Sequence, residues 1–575
     1  MALPDLAPDG SLGSLQVLSA AARGLVGVEG SPLLRPLAGG TLRRRPVWER
    51  VDGWIPRFRW SSADLSLTET VLAPPDHKGI VILLEVEARR SVRVEAGLAG
   101  QWDRTTYTLF HTRTLPVTAA ARIDPWTRSV SLEALGPLPV VAWAVHPVPD
   151  VRPQVERSRN RISLRLTRPL RLRRGQREVM AFYVGVGAEA DGARTTAVDL
   201  RRRGWETLLA ETRSRLAPLQ AGGSGRLGAL YTLNLLFNRF FACGRTIDTE
   251  QWVWVTSRSP RYYVCAAFWS RDAFLWSLPG LVLADRDVAR EVVLYACRTH
   301  WRNAGMHAQY VDGSVIYPGF ELDELAAFPV GVGTYLRATG DESILDDPAV
   351  RQVLADYPAR LDAWRGPCGL HATFLDPSDD PVVYPYLTYD NVLAWRGLLD
   401  AAQMCERLGW REQAASARRA ADDLQRAVRA HCIVPGPDGP MFAWAVDGQG
   451  GYQLYDNPPG SLVLLAHHGF CAPDDPVYAA TVAWIRSPAN PWYVAGTFGS
   501  PASAHSPDPW PMAAANDLLA GRADALQWLR EAEMDGGIAC ETVDARTGRV
   551  KTGAAFATCA GLLAAALALH RDRWA

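Results

Sequence analysis

Lysine is almost missing from this chain, since Lys78 and Lys551 are its only two lysines among 575 residues. Arginine supplies the other basic side chains, and the 61 basic residues balance 61 acidic ones to give a formal net charge of +0. Nucleic-acid-binding proteins and membrane-surface proteins need a basic excess. The balanced charge therefore argues against both kinds of partner.

Paired-cysteine motifs, long apolar runs and a leader pattern are also missing. The nine cysteines are odd in number and include no CxxC pair, which is typical of free buried thiols in a reducing compartment. No apolar run reaches the roughly 18 residues that a transmembrane helix needs. The first residues lack the basic and apolar segments of a secretory signal. The sequence predicts a soluble, cytoplasmic protein.

Motifs that bind metals or nucleotides are absent too. The 11 histidines are scattered, and the adjacent His467 and His468 would point in different directions on a helix. The sequence contains no Walker loop, no GxGxxG turn after a strand and no GxSxG motif. We therefore expect no metal and no cofactor.

Aromatic residues and chain length are the informative features that remain. The chain exceeds the roughly 100–200 residues of one domain, so we expect at least two. It contains 21 Trp and 17 Tyr, whose flat faces either fill core volume or stack on sugar rings. The composition alone leaves both interpretations open.

Residues 1–195 show the pattern of β-structure. Residues 80–87 form a strand-length run of branched side chains, and residues 162–166 alternate with a period of two. Short runs of this kind, separated by Gly and Pro clusters, predict an antiparallel β-sandwich. Residues 196–224 are predicted as a linker helix that ends in a flexible break at residues 221–225.

Residues 225–575 change to a helical period and keep it. About twelve helix-length segments begin near residues 226, 271, 286, 322, 347, 388, 410, 459, 475, 509, 522 and 552. Twelve helices suit an (α/α)6 toroid of six inner and six outer helices, although an α-bundle or a solenoid would fit the count. A solenoid should show a sequence repeat, and none is visible. The predicted fold class is α+β multidomain, an N-terminal antiparallel β-sandwich followed by a C-terminal (α/α)6 toroid.

The first candidate site lies at a loop-to-helix junction, Phe268–Trp276. Its ordinary interpretation is a helix N-cap at Ser270 or Asp272 with a surface ion pair at Arg271. Its functional interpretation is that Arg271 and Asp272 bind vicinal sugar hydroxyls beside Trp269, which would form a stacking wall.

The second candidate site begins an apolar helix within Tyr317–Pro329, where Glu321, Asp323 and Glu324 occur within four positions. Acidic side chains in a first turn complement the helix dipole, which is the ordinary interpretation. The remaining residues are too apolar for a surface helix, so we expect at least one acid to face a cavity. A carboxyl group among aromatic rings has a raised pKa and can act as a general acid near neutral pH.

The third candidate site is Glu541, in the otherwise uncharged loop that leads to the last helix. An isolated acid of this kind is either buried with partners or functional. The following Asp544 is predicted to be structural, because residues 544–548 have the composition of an Asx turn.

In their sequence motifs and in the order of those motifs along the chain, these segments resemble the inverting glycosidases that are built on the (α/α)6 toroid. Their motifs are most similar to the metal-independent exo-α-mannosidase family. The segments that carry this likeness are Trp269–Asp272, Phe320–Asp323 with Phe328–Pro329, Gly499–Pro511, and Tyr452–Leu462, which is similar to the family's Asp-Asp-Ala-Asn-Val-Pro-Ser region. The segment Trp276–Leu281 instead resembles the amylo-α-1,6-glucosidase domain of debranching enzymes.

The resemblance implies roles for individual residues. Asp323 aligns with the general acid and Glu541 with the general base. The residues expected to bind substrate are Trp269, Arg271, Asp272, Tyr317, Glu324, Asp456, Asn457, His505 and Trp510. Asp456 and Asn457 retain only one of two family acids, which leaves the choice between mannose and glucose open.

The expected function is that of an exo-acting inverting α-glycosidase that removes a terminal α-linked glucose or mannose from an oligosaccharide or glycoconjugate. A glycoside phosphorylase on the same scaffold is one alternative, although Glu541 would repel phosphate. A non-catalytic carbohydrate-binding toroid is the other. An oligosaccharide is the expected partner, and the sequence does not decide whether the chain forms a homo-oligomer.

Overall fold

The structure is a computed structural model that describes residues 2–39, 45–136, 140–158, 161–220, 222–223 and 225–574. The chain divides into two compact units, one of Met1–Ala221 with Gly244–Gln251 and one of Gly222–Cys243 with Trp252–Ala575. The predicted flexible break lies partly outside the described residues, because Ala221 and Ser224 are not among them. The domain limits inferred from the sequence stay a prediction.

The described residues of the first unit form sixteen strands before its first helix. Their bounds are β1 Leu3–Leu6, β2 Leu12–Ser19, β3 Gly24–Ala38, β4 Val47–Val51, β5 Ile55–Ser61, β6 Leu65–Leu72, β7 Gly79–Ala88, β8 Val92–Trp102, β9 Arg104–Thr108, β10 Thr112–Thr114, β11 Thr118–Ile123, β12 Val130–Leu135, β13 Ala142–Val148, β14 Gln154–Ser158, β15 Arg161–Leu172 and β16 Arg177–Gly187.

These strands form two antiparallel sheets of eight strands each. One has the order β1-β2-β3-β8-β15-β14, with β9 paired to β3 and β10 paired to β9; the other has the order β11-β12-β13-β16-β7-β6-β5-β4. Side chains from both sheets, among them Trp60, Trp102 and Trp143, share one hydrophobic core. Because alternate residues of each strand point to this core, the period of two seen in the sequence has a direct cause. The predicted antiparallel β-sandwich is confirmed.

Two helices follow the last strand, α1 Ala190–Arg203 and α2 Trp205–Leu216. Gly204 ends the first helix and precedes the second. Its φ of +79° is readily adopted by glycine. Helix α1 packs on strand β13 through small side chains. The alanines that form this contact are Ala142, Ala144, Ala193 and Ala197. The segment predicted as a connector is therefore attached to the sandwich along part of its length.

The second unit is mainly helical. Its α-helices are α3 Arg226–Phe237, α4 Leu278–Ala284, α5 Arg286–Thr299, α6 Leu322–Thr339, α7 Pro348–Asp362, α8 Thr388–Arg407, α9 Arg411–His431, α10 Pro476–Ile485, α11 Pro511–Leu519, α12 Ala525–Glu531 and α13 Ala557–Ala568. Short strands between them are β17 Cys243–Arg245, β18 Trp252–Trp254, β19 Met306–Gln309, β20 Val315–Phe320, β21 Tyr386–Leu387, β22 Ile433–Gly436, β23 Gly439–Phe442, β24 Ala445–Val446, β25 Tyr452–Gln453, β26 Tyr493–Val494, β27 Ser500–Pro501, β28 Thr542–Val543 and β29 Val550–Thr552.

Helical structure begins within a few residues of all but one of the twelve predicted positions. Near residue 459 the structure has two 3₁₀ turns, Pro458–Gly460 and Leu462–Leu464, instead of an α-helix. Consecutive prolines and a glycine explain this difference, because proline lacks a backbone donor and glycine favours coil. Within the described ranges, no helix has both the length and the apolar character needed to cross a membrane.

Candidate active site

A cavity that is partly open to solvent lies within the second unit. Its lining combines carboxyl groups with aromatic rings. The lining residues are Thr256, Tyr262, Tyr263, Val264, Trp269, Arg271, Asp272, Trp276, Pro377, Ser378, Asp379, Pro459, His505, Trp510, Glu541 and Phe556. A concave site with several convergent polar groups is the usual form of a binding or catalytic site.

Arg271 is the centre of the charged part of this cavity, and only 1% of it is exposed. Its Nη1 donates hydrogen bonds of 2.7 Å to both Glu321 Oε2 and Asp323 Oδ2, and its Nη2 donates one of 2.6 Å to Asp379 Oδ1. Burial alone would lower the pKa of Arg271. The surrounding carboxylates, Asp323 foremost, more than offset this effect and raise its pKa well above the ordinary value.

Glu324 fixes the backbone from which Arg271 projects. Its carboxylate accepts hydrogen bonds from the backbone N–H groups of Ser270, at 2.5 Å, and Arg271, at 3.1 Å. These groups begin the π-helical segment Arg271–Ser277, so Glu324 lies where a helix N-terminus favours negative charge. π-helical turns are frequent at functional sites, and this one brings Arg271 and Asp272 to the cavity.

Several carboxyl groups surround the single guanidinium group of Arg271. Burial raises the pKa of Glu321, Glu324 and Asp390 well above the ordinary range for carboxyl groups. Asp390 is fully buried, and neither of its oxygens has a hydrogen-bond partner among the described residues. Part of this cluster is therefore expected to hold protons at neutral pH, because several buried carboxylates cannot all ionise around one guanidinium.

Asp379 comes from a tight loop at residues 376–380. Asp376 stabilises this loop by accepting hydrogen bonds from the backbone N–H groups of Ser378, at 2.8 Å, and Asp380, at 3.3 Å. Asn457 Nδ2 donates to the second oxygen of Asp376 at 3.2 Å. Asp379 itself has a φ of +68°, a left-handed conformation that is uncommon for a residue other than glycine. Such conformations often occur where function requires a particular side-chain position.

Glu541 lies directly before the short hairpin of β28 and β29. Its Oε1 accepts a hydrogen bond of 2.5 Å from Ser506 Oγ, and His505 Nε2 lies 4.0 Å from the same oxygen. Its Oε2 is buried and has no hydrogen-bond partner in the part of the chain that the structure describes. Gly553 leaves room for this side chain, because an added Cβ there would lie 2.4 Å from Glu541 Cβ. The carboxylate is thus held by one oxygen only.

Asp272 is a third acid of the cavity. Thr558 Oγ1 donates a hydrogen bond of 2.6 Å to its Oδ1. Burial raises the pKa of Asp272 to about 7, although the adjacent Arg271 opposes this shift. Asp272 can therefore change its charge within the physiological pH range.

Aromatic rings form the remaining walls. Tyr262 stacks on Phe556 with ring centres 4.4 Å apart, and Trp276 meets Phe556 edge-on at 5.9 Å. The Arg271 guanidinium lies 5.7 Å from the centre of the Trp276 ring. Burial and the nearby carboxylates of Glu541 and Asp379 raise the pKa of Tyr263, so its hydroxyl stays protonated and available as a donor.

Six of the residues predicted from the sequence line the cavity, and five do not. Those in the lining are Trp269, Arg271, Asp272, His505, Trp510 and Glu541. Asp323 and Glu324 are fully buried behind Arg271, and Tyr317 packs edge-on against His307 with ring centres 5.2 Å apart. Asp456 accepts hydrogen bonds from Ser461 and Leu462, while Asn457 supports the loop that carries Asp379.

Asp379 and Tyr263 are cavity residues that the sequence analysis did not select. Three acids within residues 376–380, next to a proline and without a nearby basic residue, were the available signal for Asp379. Tyr263 has a second tyrosine beside it, and nothing local separates the two. The sequence motifs instead selected acids near helix starts as candidate site residues. Acids at those positions are also explained by their favourable interaction with the helix dipole.

One group of side chains in the described part of the chain has the spacing of metal ligands. His307, Glu321 and Asp379 offer ligand atoms that all lie within 4.8 Å of one another. Arg271 already binds one oxygen of Glu321 and one of Asp379. Because the guanidinium supplies positive charge at this point, the donor set fits an ion-pair network better than a divalent cation.

Known proteins resemble this chain in sequence over part of its length and in fold. Residues 359–568 match the family described as metal-independent alpha-mannosidase (GH125). A curated protein of Schizosaccharomyces pombe, the meiotically up-regulated gene 157 protein, is 36% identical over 124 residues, or 21% of this chain and 24% of that protein. The match therefore spans about a quarter of that relative's length. These similarities support the prediction that the chain is a glycoside hydrolase.

Two solved structures are similar in fold to this chain. A metal-independent alpha-mannosidase of Streptococcus pneumoniae, solved with alpha-1,6-mannobiose, is 18% identical with a TM-score of 0.52, over 60% of this chain and 94% of that one. A bacterial glucoamylase solved with acarbose is 14% identical with a TM-score of 0.64, over 100% of this chain and 95% of that one. The predicted (α/α)6 toroid and the resemblance to toroid glycosidases are confirmed.

Proposed function

We propose that this chain is an exo-acting inverting α-glycosidase that hydrolyses a terminal α-linked hexose, with mannose as the first candidate. The observation that carries the proposal is one cavity lined by Asp379, Glu541 and aromatic rings. Two carboxyl groups of this kind are what inverting hydrolysis of a glycoside requires. The exo mode and the inversion are what the family resemblance implies.

We assign the general acid to Asp379 rather than to Asp323. Asp379 lines the cavity and its side chain is 34% exposed, whereas Asp323 is fully buried and takes no part in the lining. A proton donor must come within hydrogen-bond distance of the glycosidic oxygen. Both carboxyl groups contact Arg271, so the family resemblance of the Asp323 segment is compatible with a supporting role for Asp323.

Glu541 is the proposed general base. Ser506 occupies its Oε1, which leaves Oε2 to accept a proton from water. In the reaction Asp379 gives its proton to the leaving oxygen as the bond from that oxygen to the anomeric carbon breaks. Water attacks this carbon from the opposite face and loses a proton to Glu541, and an α-linkage then yields a β-sugar.

Mannose is favoured over glucose because residues 359–568 match the alpha-mannosidase family. This segment contains the Asp379 loop and ends within helix α13, so it includes both proposed catalytic carboxyl groups. Arg271 and Asp272, the proposed sugar-binding pair, lie outside it. Mannose and glucose differ only at the C2 hydroxyl, so glucose stays the second candidate and is tested beside mannose.

The two alternatives predicted from the sequence have less support. A phosphorylase must bind phosphate beside the sugar, but Glu541, Asp379 and Asp272 give this cavity negative charge. A non-catalytic toroid would not require Ser506 to orient the Glu541 carboxylate.

We also propose a cytoplasmic location, which is supported by nine cysteines that are all free, eight of them buried.

The test is NMR of the anomeric proton of freshly released sugar. The full chain is mixed with α-linked manno- and gluco-disaccharides, with and without inorganic phosphate, and Glu541→Gln serves as the matched inactive control. We expect β-mannose from one manno-disaccharide and no dependence on phosphate.

Other results of this experiment separate the alternatives. Initial release of the α-anomer would overturn inversion, and a sugar phosphate formed only with phosphate would support a phosphorylase. Release of β-glucose alone would change the assigned sugar. No product from any disaccharide, together with saturable binding of the sugars, would support a carbohydrate-binding protein.

A further inference from the structure

His307 lies beside the same two carboxyl groups, Glu321 and Asp379, that Arg271 binds, and the proposed reaction does not yet use it. Its Nδ1 is 3.0 Å from Glu321 Oε1, and its Nε2 is 3.8 Å from Asp379 Oδ2. Arg271 binds the other oxygen of each carboxyl group, Glu321 Oε2 at 2.7 Å and Asp379 Oδ1 at 2.6 Å. The four side chains therefore form a closed ring in which each carboxyl group faces two nitrogen-bearing groups.

The position of the His307 ring is itself determined by its neighbours. His307 belongs to strand β19, which pairs with β20. Tyr317 of that strand meets the imidazole edge-on at 5.2 Å, and Trp269 lies beside it at 6.0 Å. Only 13% of the His307 side chain is exposed. An imidazole packed in this way can hold a second group in place, because little of its own conformational freedom remains to be lost.

Asp379 needs such support more than the other acids of the cluster. Its side chain is 34% exposed, and its backbone has the left-handed φ of +68°. A single hydrogen bond from Arg271 restrains one oxygen but leaves the carboxyl plane free to turn. A displacement of about 1 Å in a reacting group can cost about 100-fold in rate.

We propose that His307 is a positioning residue that, together with Arg271, holds the Asp379 carboxyl group in the orientation required for proton donation. This inference rests on the proposed function, in which Asp379 is the general acid. The 3.8 Å separation exceeds a direct hydrogen bond, so the contact closes through a small movement of the Asp379 loop or through one water molecule. His307 does not touch the sugar in this role.

The test compares two variants of the full chain on two substrates of the same sugar. His307→Phe keeps a ring between Trp269 and Tyr317 but removes both nitrogens, whereas His307→Gln keeps a donor. One substrate is the disaccharide that the wild type cleaves, and the other is its 2,4-dinitrophenyl glycoside, whose leaving group needs no proton. His371→Phe is the control, because His371 is a buried histidine of the same unit that is not part of the ring of Arg271, Glu321, Asp379 and His307.

We expect His307→Phe to lower kcat on the disaccharide about 10- to 100-fold with little change in KM. We expect its kcat on the dinitrophenyl glycoside to stay within about threefold of the wild type, because that reaction does not use the acid. His307→Gln should recover part of the loss, and His371→Phe should affect both substrates alike.

Two results would overturn the inference while leaving the proposed function intact. One is an equal loss on both substrates for His307→Phe, which would indicate a role in the fold alone. The other is unchanged kcat on the disaccharide. A wild-type chain that cleaves neither substrate would instead overturn the proposed function and this inference with it.

Discussion

Arg271 donates a hydrogen bond of 2.6 Å to Asp379, a residue that lies 108 positions further along the chain. This contact joins the start of a π-helical segment to a tight loop, and it brings an acid into a cavity that also contains Glu541. The guanidinium binds Asp323 and Glu321 at the same time. Arg271 therefore joins one acid of the cavity lining, Asp379, to two acids that are fully buried.

The first prediction separates Asp379 from Asp323 as the proton donor. We expect Asp379→Asn to lower kcat on a disaccharide about 100- to 10,000-fold and to leave the dinitrophenyl glycoside much less affected. Asp323→Asn should have a smaller effect that is similar on both substrates, because Asp323 acts through Arg271. Steady-state kinetics on the two substrates measures this difference. If Asp323→Asn is the variant that discriminates between leaving groups, the acid is Asp323, as the family resemblance implies.

The second prediction concerns the base and the serine that orients it. Glu541→Gln should abolish turnover of both substrates, because water must be activated in either case. Ser506→Ala removes the hydrogen bond to Glu541 Oε1 and should lower kcat about 10-fold on both. Kinetic measurements at constant pH give these values. Normal turnover by Glu541→Gln would show that another group activates water.

The third prediction follows from the buried carboxyl group of Asp272. Its pKa is raised from 3.8 to about 7, so the folded chain keeps a proton that the unfolded chain releases. The contribution of Asp272 to the free energy of unfolding should therefore fall as pH rises from about 4 to about 7. Asp272→Asn cannot ionise and should lose this part of the pH dependence. Denaturant unfolding at several pH values measures it, and parallel curves for the two proteins would contradict the assignment.

The fourth prediction tests the space around Glu541. In Gly553→Ala the new Cβ would lie 2.4 Å from Glu541 Cβ and 2.7 Å from its Oε2, so Glu541 must move. We expect kcat to fall at least 10-fold. Gly536→Ala is the matched control, because Gly536 has a similar φ of +61° but no atom within 4 Å of its added Cβ. If both variants lost kcat to the same extent, the cause would be backbone strain and not the displacement of Glu541.

The described structure explains which parts of the site were predictable. Trp269, Arg271 and Asp272 lie within four consecutive positions at a helix start, so their local pattern was enough to select them. Glu541 was selected because a single acid in an uncharged loop is costly to bury without a purpose. The acids within residues 376–380 are a weaker signal, because nothing in the sequence separates Asp379 from its neighbours. Asp379 becomes a candidate only when Arg271 and Asn457 hold its loop beside the cavity.

The sequence by itself determined the two kinds of structure, because the period of two and the period of 3.6 are set by which side of each strand or helix faces a core. It also predicted carboxylate chemistry, through the acids in the aromatic loops. Only the tertiary structure decided which acids face the cavity. Asp323 and Asp379 both bind Arg271, yet one is fully buried and the other borders the open space. That difference arises from contacts between segments far apart in the chain, which no local pattern encodes.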